Sequence, residues 1–384
     1  MQWLLLAIAA LFVANGVYAH WVKATMAPAR ALRLAGRRRE AADAYRRAYE
    51  TLPAMSRFAR TKALLMAANQ CIQAGRLEDA AAWAREAMAL RPRGLFLIMA
   101  HRILGHSLSM QMKLDEAEAC FVEALKAART QRNPQQIGES LTLLALVQYK
   151  RGHLAAAMDT AREAEREHLS AARLALQVQY DCFRAQGRWD EARDAQERAS
   201  NTGASPTDED RLQAVMRLGH AMLALEQGQA DLAAEHLAAA KAQLIDDERL
   251  RVWWDSHSAW AAALAGNRHV AEQLICRVED ALPCLSEDRS TQCGSAACLG
   301  HATFALGDWR RSLNYWKRHQ ALQPDVPSQA EGLYHIGRCL QELGDCEGAC
   351  AAFHEAADIP CPTYYGGLAR EARKAMNETE QTNG

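Results

Sequence analysis

AGRLEDAAAWAREAMALRP, at residues 74–92, has a close relative at residues 35–53, AGRRREAADAYRRAYETLP. Both stretches run from a glycine, through small residues at helical spacing, to a proline. A glycine that ends one helix and a proline that stops the next together predict a helical hairpin. Self-similarity at a period of about 20–50 residues is typical of repeat proteins, so these two stretches decide how the rest of the chain is interpreted.

The same pattern recurs as nine aligned copies at intervals of 35–41 residues. The copies begin at Gly36, Gly75, Met112, Gly152, Gly187, Gly228, Gly266, Gly307 and Gly344. Each glycine is predicted to take the left-handed conformation of a helix C-cap, and the residues after it are predicted to open the next helix. The high alanine content and the rarity of β-branched runs favour an all-helical fold.

Side-chain size alternates within each predicted hairpin. Small residues stand five positions after each turn, and aromatic residues stand nine after it in four copies, as Tyr45, Phe121, Trp316 and Phe353. Seven positions before the turn, most first helices carry Gly or Ala. This pattern predicts two helices in close contact, with the large residue filling the groove between them. The fifth copy departs from the pattern, because Tyr180 and Gln196 replace a small and an aromatic residue.

This pattern resembles the tetratricopeptide repeat family, which has a Leu-Gly pair in its first helix and small, aromatic, small and proline positions in its second. The matching residues are Leu104, Gly105, Ala117, Phe121 and Ala124 in the third copy, Leu299, Gly300, Trp316 and Pro324 in the eighth, and Gly337, Ala349, Phe353 and Ala356 in the ninth. The resemblance implies an all-α, right-handed superhelical solenoid of about nine hairpins. The array is expected at residues 23–362, with a capping helix and tail at 363–384 and a possible break near 200–210.

In that family the first helices line a concave face on which peptides and partner helices dock. Residues six before each turn, and those one turn to either side, form the predicted groove. They are Lys62, Asn69, Arg102, His106, Gln177, Asp181, Trp253, Trp260, His301, Tyr334 and Arg338. The two tryptophans share a helix face, where they form either a hot spot for an apolar partner or part of the core. Polar residues at the other positions also fit ordinary solvation of a surface.

Residues 1–22, MQWLLLAIAALFVANGVYAHWV, form the one strongly apolar run, and their number is about that needed for a helix to cross a bilayer. No acidic residue precedes Glu40, whereas six basic residues lie from Lys23 to Arg39. The positive-inside rule therefore predicts a transmembrane anchor with the repeats in the cytoplasm. The alternatives are a signal peptide cleaved after Ala19, which would place the repeats in the periplasm or outside the cell, and a buried helix.

Eleven cysteines form no short disulfide framework, and an odd number cannot pair fully within one chain. Eight of them lie from Cys276 to Cys361, and Cys346 and Cys350 are one helical turn apart. The cluster is compatible with buried small residues, a redox-sensitive pair or a metal site. Because no Cys-x-x-Cys pair is present, the sequence predicts neither a structural metal ion nor a cofactor.

No catalytic motif is found, which predicts a protein without enzymatic activity. A net charge of -1 gives no basic field that would favour nucleic acid. The predicted function is a scaffold that is tethered to the cytoplasmic membrane and recruits a protein or peptide partner. The alternatives are an exported repeat protein in envelope assembly and a metal- or redox-responsive protein that uses the Cys-rich end. In plan the chain resembles anchored bacterial tetratricopeptide regulators of lipopolysaccharide assembly, without their zinc-ribbon tail.

Overall fold

The computed structural model describes residues 2–202, 209–241, 248–285, 289–322 and 325–383, with side chains at all of these positions except 2–17, 169–170, 209–212, 248–249 and 377–383. Over these residues the chain forms nineteen α-helices, one short 3-10 helix and no strand. Successive helices pair into nine hairpins, followed by one last helix. The prediction of an all-α solenoid of about nine hairpins is confirmed.

The helices fall into two compact units, Met1–Ser140 and Leu141–Gly384. The first unit contains α1 (Gln2–Leu34), α2 (Arg38–Thr51), α3 (Arg57–Gln73), α4 (Leu77–Ala89), α5 (Leu95–Met110), α6 (Leu114–Thr130) and the beginning of α7 (Pro134–Lys150). The second contains the rest of α7, α8 (Leu154–Glu167), α9 (Leu169–Ala185), α10 (Trp189–Asn201), α11 (Glu209–Glu226), α12 (Ala230–Lys241), α13 (Glu248–Leu264), α14 (Arg268–Ala281), α15 (Arg289–Ala305), α16 (Trp309–Ala321), α17 (Val326–Glu342), α18 (Cys346–Asp358) and α19 (Tyr364–Asn383). The predicted break near 200–210 lies between α10 and α11, and residues 203–208 are outside the described residues.

All nine predicted turn residues take the left-handed backbone conformation. The eight glycines have φ between 70° and 79°, and Met112 has φ 62°. A Cβ is crowded by the following carbonyl oxygen in this region, which is why glycine is favoured. Each second helix begins two residues after its turn, as α4 does at Leu77 after Gly75. The repeat register inferred from spacing is therefore confirmed.

The predicted alternation of small and large side chains is present across the hairpins. The nine small residues after the turns are 0% exposed: Ala41, Ala80, Ala117, Ala157, Ala192, Ala233, Ala271, Ser312 and Ala349. A methyl group added at Gly300 would lie 2.6 Å from the indole of Trp316, and one added at Gly337 would lie 2.6 Å from the ring of Phe353. Because both rings are 0% exposed, the two glycines make room for them in the core.

The fifth hairpin, α9 and α10, keeps the same packing with the sizes exchanged. Tyr180 of α9 is 1% exposed, and its hydroxyl donates to the carbonyl of Gly219 at 3.3 Å. Gln196 of α10 is also 1% exposed, and its side-chain amide donates to the carbonyl of Met216 at 3.1 Å. The bulk here comes from the first helix, and the amide nitrogen of Gln196 is paired with the backbone of α11.

Within the second unit, two early turns lie against the C-terminal helices. A methyl group at Gly152 would lie 2.8 Å from Val326 Cγ1 of α17, and one at Gly187 would lie 2.6 Å from the ring of Tyr364 of α19. Trp189 also meets the Tyr364 ring edge to face at 5.4 Å. No sequence pattern predicted these contacts, which join residues more than 170 positions apart. They place the α7–α8 turn beside α17 and the α9–α10 turn beside α19.

Helices also occupy both ends of the described chain. In the part of the chain that the structure describes, no helix is long and apolar enough to cross a membrane. The predicted anchor, residues 1–22, lies mainly where side chains are not described, so the anchor stays a prediction. At the other end, α19 packs on α17 and α18, with Ala369 fully buried.

Candidate functional site

In the first unit, the predicted groove residues lie on α3 and α5, which contact each other. Lys62 is exposed and Asn69 is half-buried on α3, while Arg102 and His106 are half-buried on α5. The Arg102 guanidinium donates to Gln136 at 2.9 Å and forms an ion pair with Glu139. The structure therefore brings these four residues to neighbouring helices, with Lys62 the most accessible of them.

Beside these residues lies an exposed apolar surface that the sequence analysis did not single out. It consists of Met55, Phe58, Leu95 and Phe96, and we refer to it as the Phe58 patch. Met55 is 90% exposed, Phe58 71% and Leu95 46%. The Phe58 and Phe96 rings meet edge to face at 4.7 Å. The sequence signal was present, because Phe58 stands one helical turn before Lys62 on α3.

In the second unit, the predicted groove residues contact one another closely. The ring of Trp260 stacks flat on His301, with centroids 4.0 Å apart and planes 3° apart, and Trp260 is only 6% exposed. Arg338 lies over the ring of Phe304 and donates to the Tyr334 hydroxyl at 3.3 Å. Trp260 is therefore packed in the core, which was one of the two alternatives for the tryptophans; the other was an exposed hot spot.

The remaining predicted residues of this unit lie on α9 and α13. Trp253 is half-buried, and its indole nitrogen is enclosed without a hydrogen-bond partner among the described residues. Gln177 and Asp181 are half-buried on α9 and hydrogen-bond to each other through their side chains. Burial, together with the nearby Asp325, raises the pKa of Asp181 to about 7, against the opposing charge of Arg184.

Around His301 the structure assembles a set of charged side chains that spacing alone had missed. We call Arg184, Glu226, His301, Glu331 and His335 the interior cluster. Arg184 donates to Glu226 at 2.6 Å, and His301 Nε2 lies 3.2 Å from Glu331 Oε1. The side chains of these two pairs are 2–15% exposed. The side chains come from α9, α11, α15 and α17, and Arg184 lies within electrostatic range of Glu331.

The two carboxyl groups of the interior cluster have opposite pKa shifts. Burial and repulsion by Glu331 raise the pKa of Glu226, and its ion pair with Arg184 only partly offsets this. Burial also acts to raise the pKa of Glu331, but the hydrogen bond from His301 and the charge of Arg184 outweigh it, so this pKa is lowered. Of these two carboxyl groups, Glu331 is thus the one held in its ionised form.

The cysteines do not form a disulfide framework. All eleven are free thiols, and Cys71, Cys182, Cys298, Cys339 and Cys361 are buried. Cys346 is exposed and Cys350 is half-buried on α18, where His354 Nδ1 pairs with Asp358 at 2.9 Å. Burial raises the pKa of Cys298 to about 12, which keeps that thiol protonated and unreactive.

Comparison with known proteins places this architecture among known helical-repeat structures. A Rap protein complexed with Competence and Sporulation Factor is similar with a TM-score of 0.62 at 13% identity, over 88% of this chain and 97% of that chain. The apo form of the quorum sensor NprR from B. thuringiensis gives 0.54 at 12% identity, over 88% and 99%. A human IFIT1 dimer with PPP-AAAA gives 0.54 at 15% identity, over 92% and 81%. At these identities the likeness shows the fold alone.

The fold and its stacked hairpins define a helical-repeat protein. A sequence model of the tetratricopeptide repeat matches residues 331–358, on α17 and α18. The chain therefore carries the tetratricopeptide repeat and has the fold of that family. No curated protein matches the sequence significantly.

Proposed function

We propose that the protein is a non-catalytic scaffold that binds a protein partner on the α3 and α5 face of its first unit. The Phe58 patch carries this proposal, because large apolar side chains with 46–90% exposure are unusual as a group on a soluble surface. Lys62 continues the same face one helical turn further along α3. An aromatic centre with a polar rim is the usual composition of a binding hot spot.

The charges beside the Phe58 patch indicate the chemistry of the partner. Arg57, Arg91 and Arg93 are exposed and stand next in sequence to the patch or within four residues of it. A partner segment that presents an apolar side chain flanked by acidic residues would complement this surface. The groove residues of the second unit are a weaker candidate, because Trp260, His301, Tyr334 and Arg338 already contact other side chains of the chain.

The similar solved structures do not select the ligand. One is a complex with Competence and Sporulation Factor and another contains PPP-AAAA, so the same fold accompanies ligands of different chemistry. The chemistry of the partner therefore has to be inferred from the surface of this chain.

Site-specific photo-crosslinking tests the binding face. A photoreactive amino acid replaces Phe58 in the full chain, and the control carries it at Val122, a 46% exposed apolar residue of α6. We expect a discrete crosslinked protein at position 58 that is absent at position 122. Phe96→Asp should abolish this crosslink without changing the circular dichroism spectrum. Equal crosslinking at both positions, or insensitivity to Phe96→Asp, would contradict the proposal.

We further propose that residues 1–22 tether this scaffold to the cytoplasmic membrane. The apolar run and the basic residues from Lys23 to Arg39 support the tether, and the free thiols suit a reducing compartment. Intact-mass measurement and membrane fractionation test it. A full-length chain that becomes soluble only when residues 2–22 are deleted is the expected result. Loss of the first nineteen residues would support the exported alternative instead.

A further inference from the structure

Three side chains of the interior cluster meet at one point. His301 of α15, Glu331 of α17 and His335 of α17 each place a nitrogen or carboxylate oxygen so that all three atoms lie within 4.8 Å of one another. Glu331 and His335 are one helical turn apart, so both side chains leave the same face of α17. His301 reaches them from the neighbouring hairpin.

Both imidazole rings are held in place by tryptophans. His301 stacks on Trp260 at 4.0 Å with planes 3° apart, and His335 stacks on Trp316 at 4.6 Å with planes 11° apart. Trp316 is 0% exposed, and its indole packs closely against the backbone at Gly300, which has no side chain. Rings that are already ordered lose little conformational entropy when they bind a ligand, which is the requirement for a preorganised site.

One nitrogen of this group has no partner. His335 Nε2 is buried and makes no hydrogen bond to any described residue. Buried polar atoms are nearly always paired with protein, water or an ion, because an unpaired one loses its hydration without compensation. In the tautomer that carries its proton on Nδ1, His335 Nε2 offers a lone pair to a ligand.

We propose that His301, Glu331 and His335 bind a divalent transition-metal ion, with zinc the best fit. Two imidazole nitrogens and one carboxylate oxygen form a donor set that zinc uses when it keeps a further coordination position open. Magnesium and calcium prefer oxygen ligands alone, so they fit poorly. His301 Nε2 and Glu331 Oε1 are already 3.2 Å apart, close to the roughly 3.4 Å that tetrahedral zinc with bonds of about 2.1 Å requires. Zinc would displace the proton that Nε2 donates to Glu331, and this proton is released to solvent.

The surrounding charges permit a cation at this position. Glu331 supplies one negative charge, and Arg184, the positive charge that acts on it, donates its hydrogen bond to Glu226 at 2.6 Å rather than to Glu331. The three donor atoms lie within 4.8 Å of one another, so bringing the third to about 3.4 Å from the others requires a movement of up to about 1.4 Å. Rotation about the Glu331 or His335 side-chain bonds provides it. The proposal does not depend on the Phe58 patch, and either can fail alone.

Zinc titration of the full chain, stripped with a chelator, tests the site. We expect one tightly bound Zn²⁺ per chain in competition with a chromophoric chelator. Removing a ligand should weaken binding by at least about 10–100-fold in Glu331→Gln and in His335→Gln. His269→Gln, which alters an exposed histidine of α14, is the matched control and should bind as the wild type does.

A second set of measurements separates this site from the thiols of α18. Cobalt bound by two histidines and a carboxylate lacks the charge-transfer absorption that a cysteine ligand produces. A spectrum without that band supports the interior site. The band itself, loss of binding in a Cys346→Ser and His354→Gln double variant, or unchanged zinc affinity in folded Glu331→Gln would each overturn the proposal.

Discussion

Met112 is a turn residue with a side chain in a backbone region that favours glycine. Its φ is 62°, whereas the eight equivalent glycines lie between 70° and 79°. A Cβ in this region costs about 1–2 kcal/mol, and a glycine costs about 0.5–1 kcal/mol through the greater freedom of the unfolded chain. We therefore expect Met112→Gly to raise the free energy of unfolding by about 0.5–1 kcal/mol, measured as a higher urea midpoint.

The reverse substitution is the control for this prediction. A Cβ at Gly266 would meet no atom within 4 Å, so Gly266→Met introduces backbone strain without a steric clash. It should lower stability by about 1 kcal/mol in the same assay. A destabilised Met112→Gly variant would mean that packing of the methionine side chain outweighs the backbone strain.

Of the interior cluster, only His301 was predicted from the sequence. His301 was predicted because it stands six positions before Gly307, a rule that selects one stripe of each first helix. Glu331 stands seven positions before Arg338, on the same stripe of α17, but was not selected. His335 stands beside that stripe, and Arg184 lies three positions before Gly187. His301, Glu331 and His335 meet because α15 and α17 belong to neighbouring hairpins, whereas Arg184 comes within electrostatic range of Glu331 from 147 positions away in the sequence. Contacts between parts of the chain so distant in sequence leave no local pattern to read.

At the scale of helices, two glycines of α15 have opposite roles. Gly300 faces the indole of Trp316, where an added methyl group would lie 2.6 Å away, while Gly294 faces open space. We expect Gly300→Ala to lower the free energy of unfolding by about 1–3 kcal/mol through overpacking. Gly294→Ala should raise it by about 0.5–1 kcal/mol, because alanine is the better helix former.

Thermal unfolding followed by circular dichroism measures both substitutions under identical conditions. Since the two sites are on one helix, a general effect of alanine on α15 would move both variants in the same direction. Stabilisation of both would show that the Trp316 ring shifts without cost, and that the close contact does not fix this hairpin.

The hairpins were predictable because their signals are local. Turn glycines, small contact residues and aromatic fillers recur within about 20 residues of one another, and each acts on its nearest helices. The Phe58 patch was less predictable, because a phenylalanine at this position of α3 is equally compatible with packing in the core. Its exposure depends on what packs above α3 and α5, which a repeat pattern does not specify.

At the scale of the whole molecule, charge is balanced overall but uneven inside the second unit. The chain has 45 basic and 46 acidic residues, and many pair at the surface, as Arg46 does with Glu50. Inside the second unit, Asp181 and Glu226 have raised pKa values and Glu331 has a lowered one. These buried carboxyl groups therefore change their charge at pH values outside the range usual for Asp and Glu on a helical surface.

Asp181 gives this titration a measurable consequence. Its pKa rises from 3.8 in the unfolded chain to about 7 in the folded protein, so the folded state holds the proton more tightly. Between these values the unfolded chain ionises and the folded protein does not, which lowers stability as pH rises. A shift of this size has an upper limit of about 4 kcal/mol, and partial exposure reduces the expected loss to about 2 kcal/mol.

Comparing the wild type with Asp181→Asn isolates this group, because contributions shared by the two proteins largely cancel. The neighbours that remain are Gln177, Arg184 and Asp325. The two proteins should have similar stability near pH 4, and the variant should become the more stable one as pH rises to about 7, by about 2 kcal/mol. Above pH 8 the difference should be constant, since both states of the wild type are then ionised. Urea midpoints measured from pH 4 to 8 check the profile, and a difference that stays flat or favours the wild type at high pH would show that Asp181 is ionised in the folded protein.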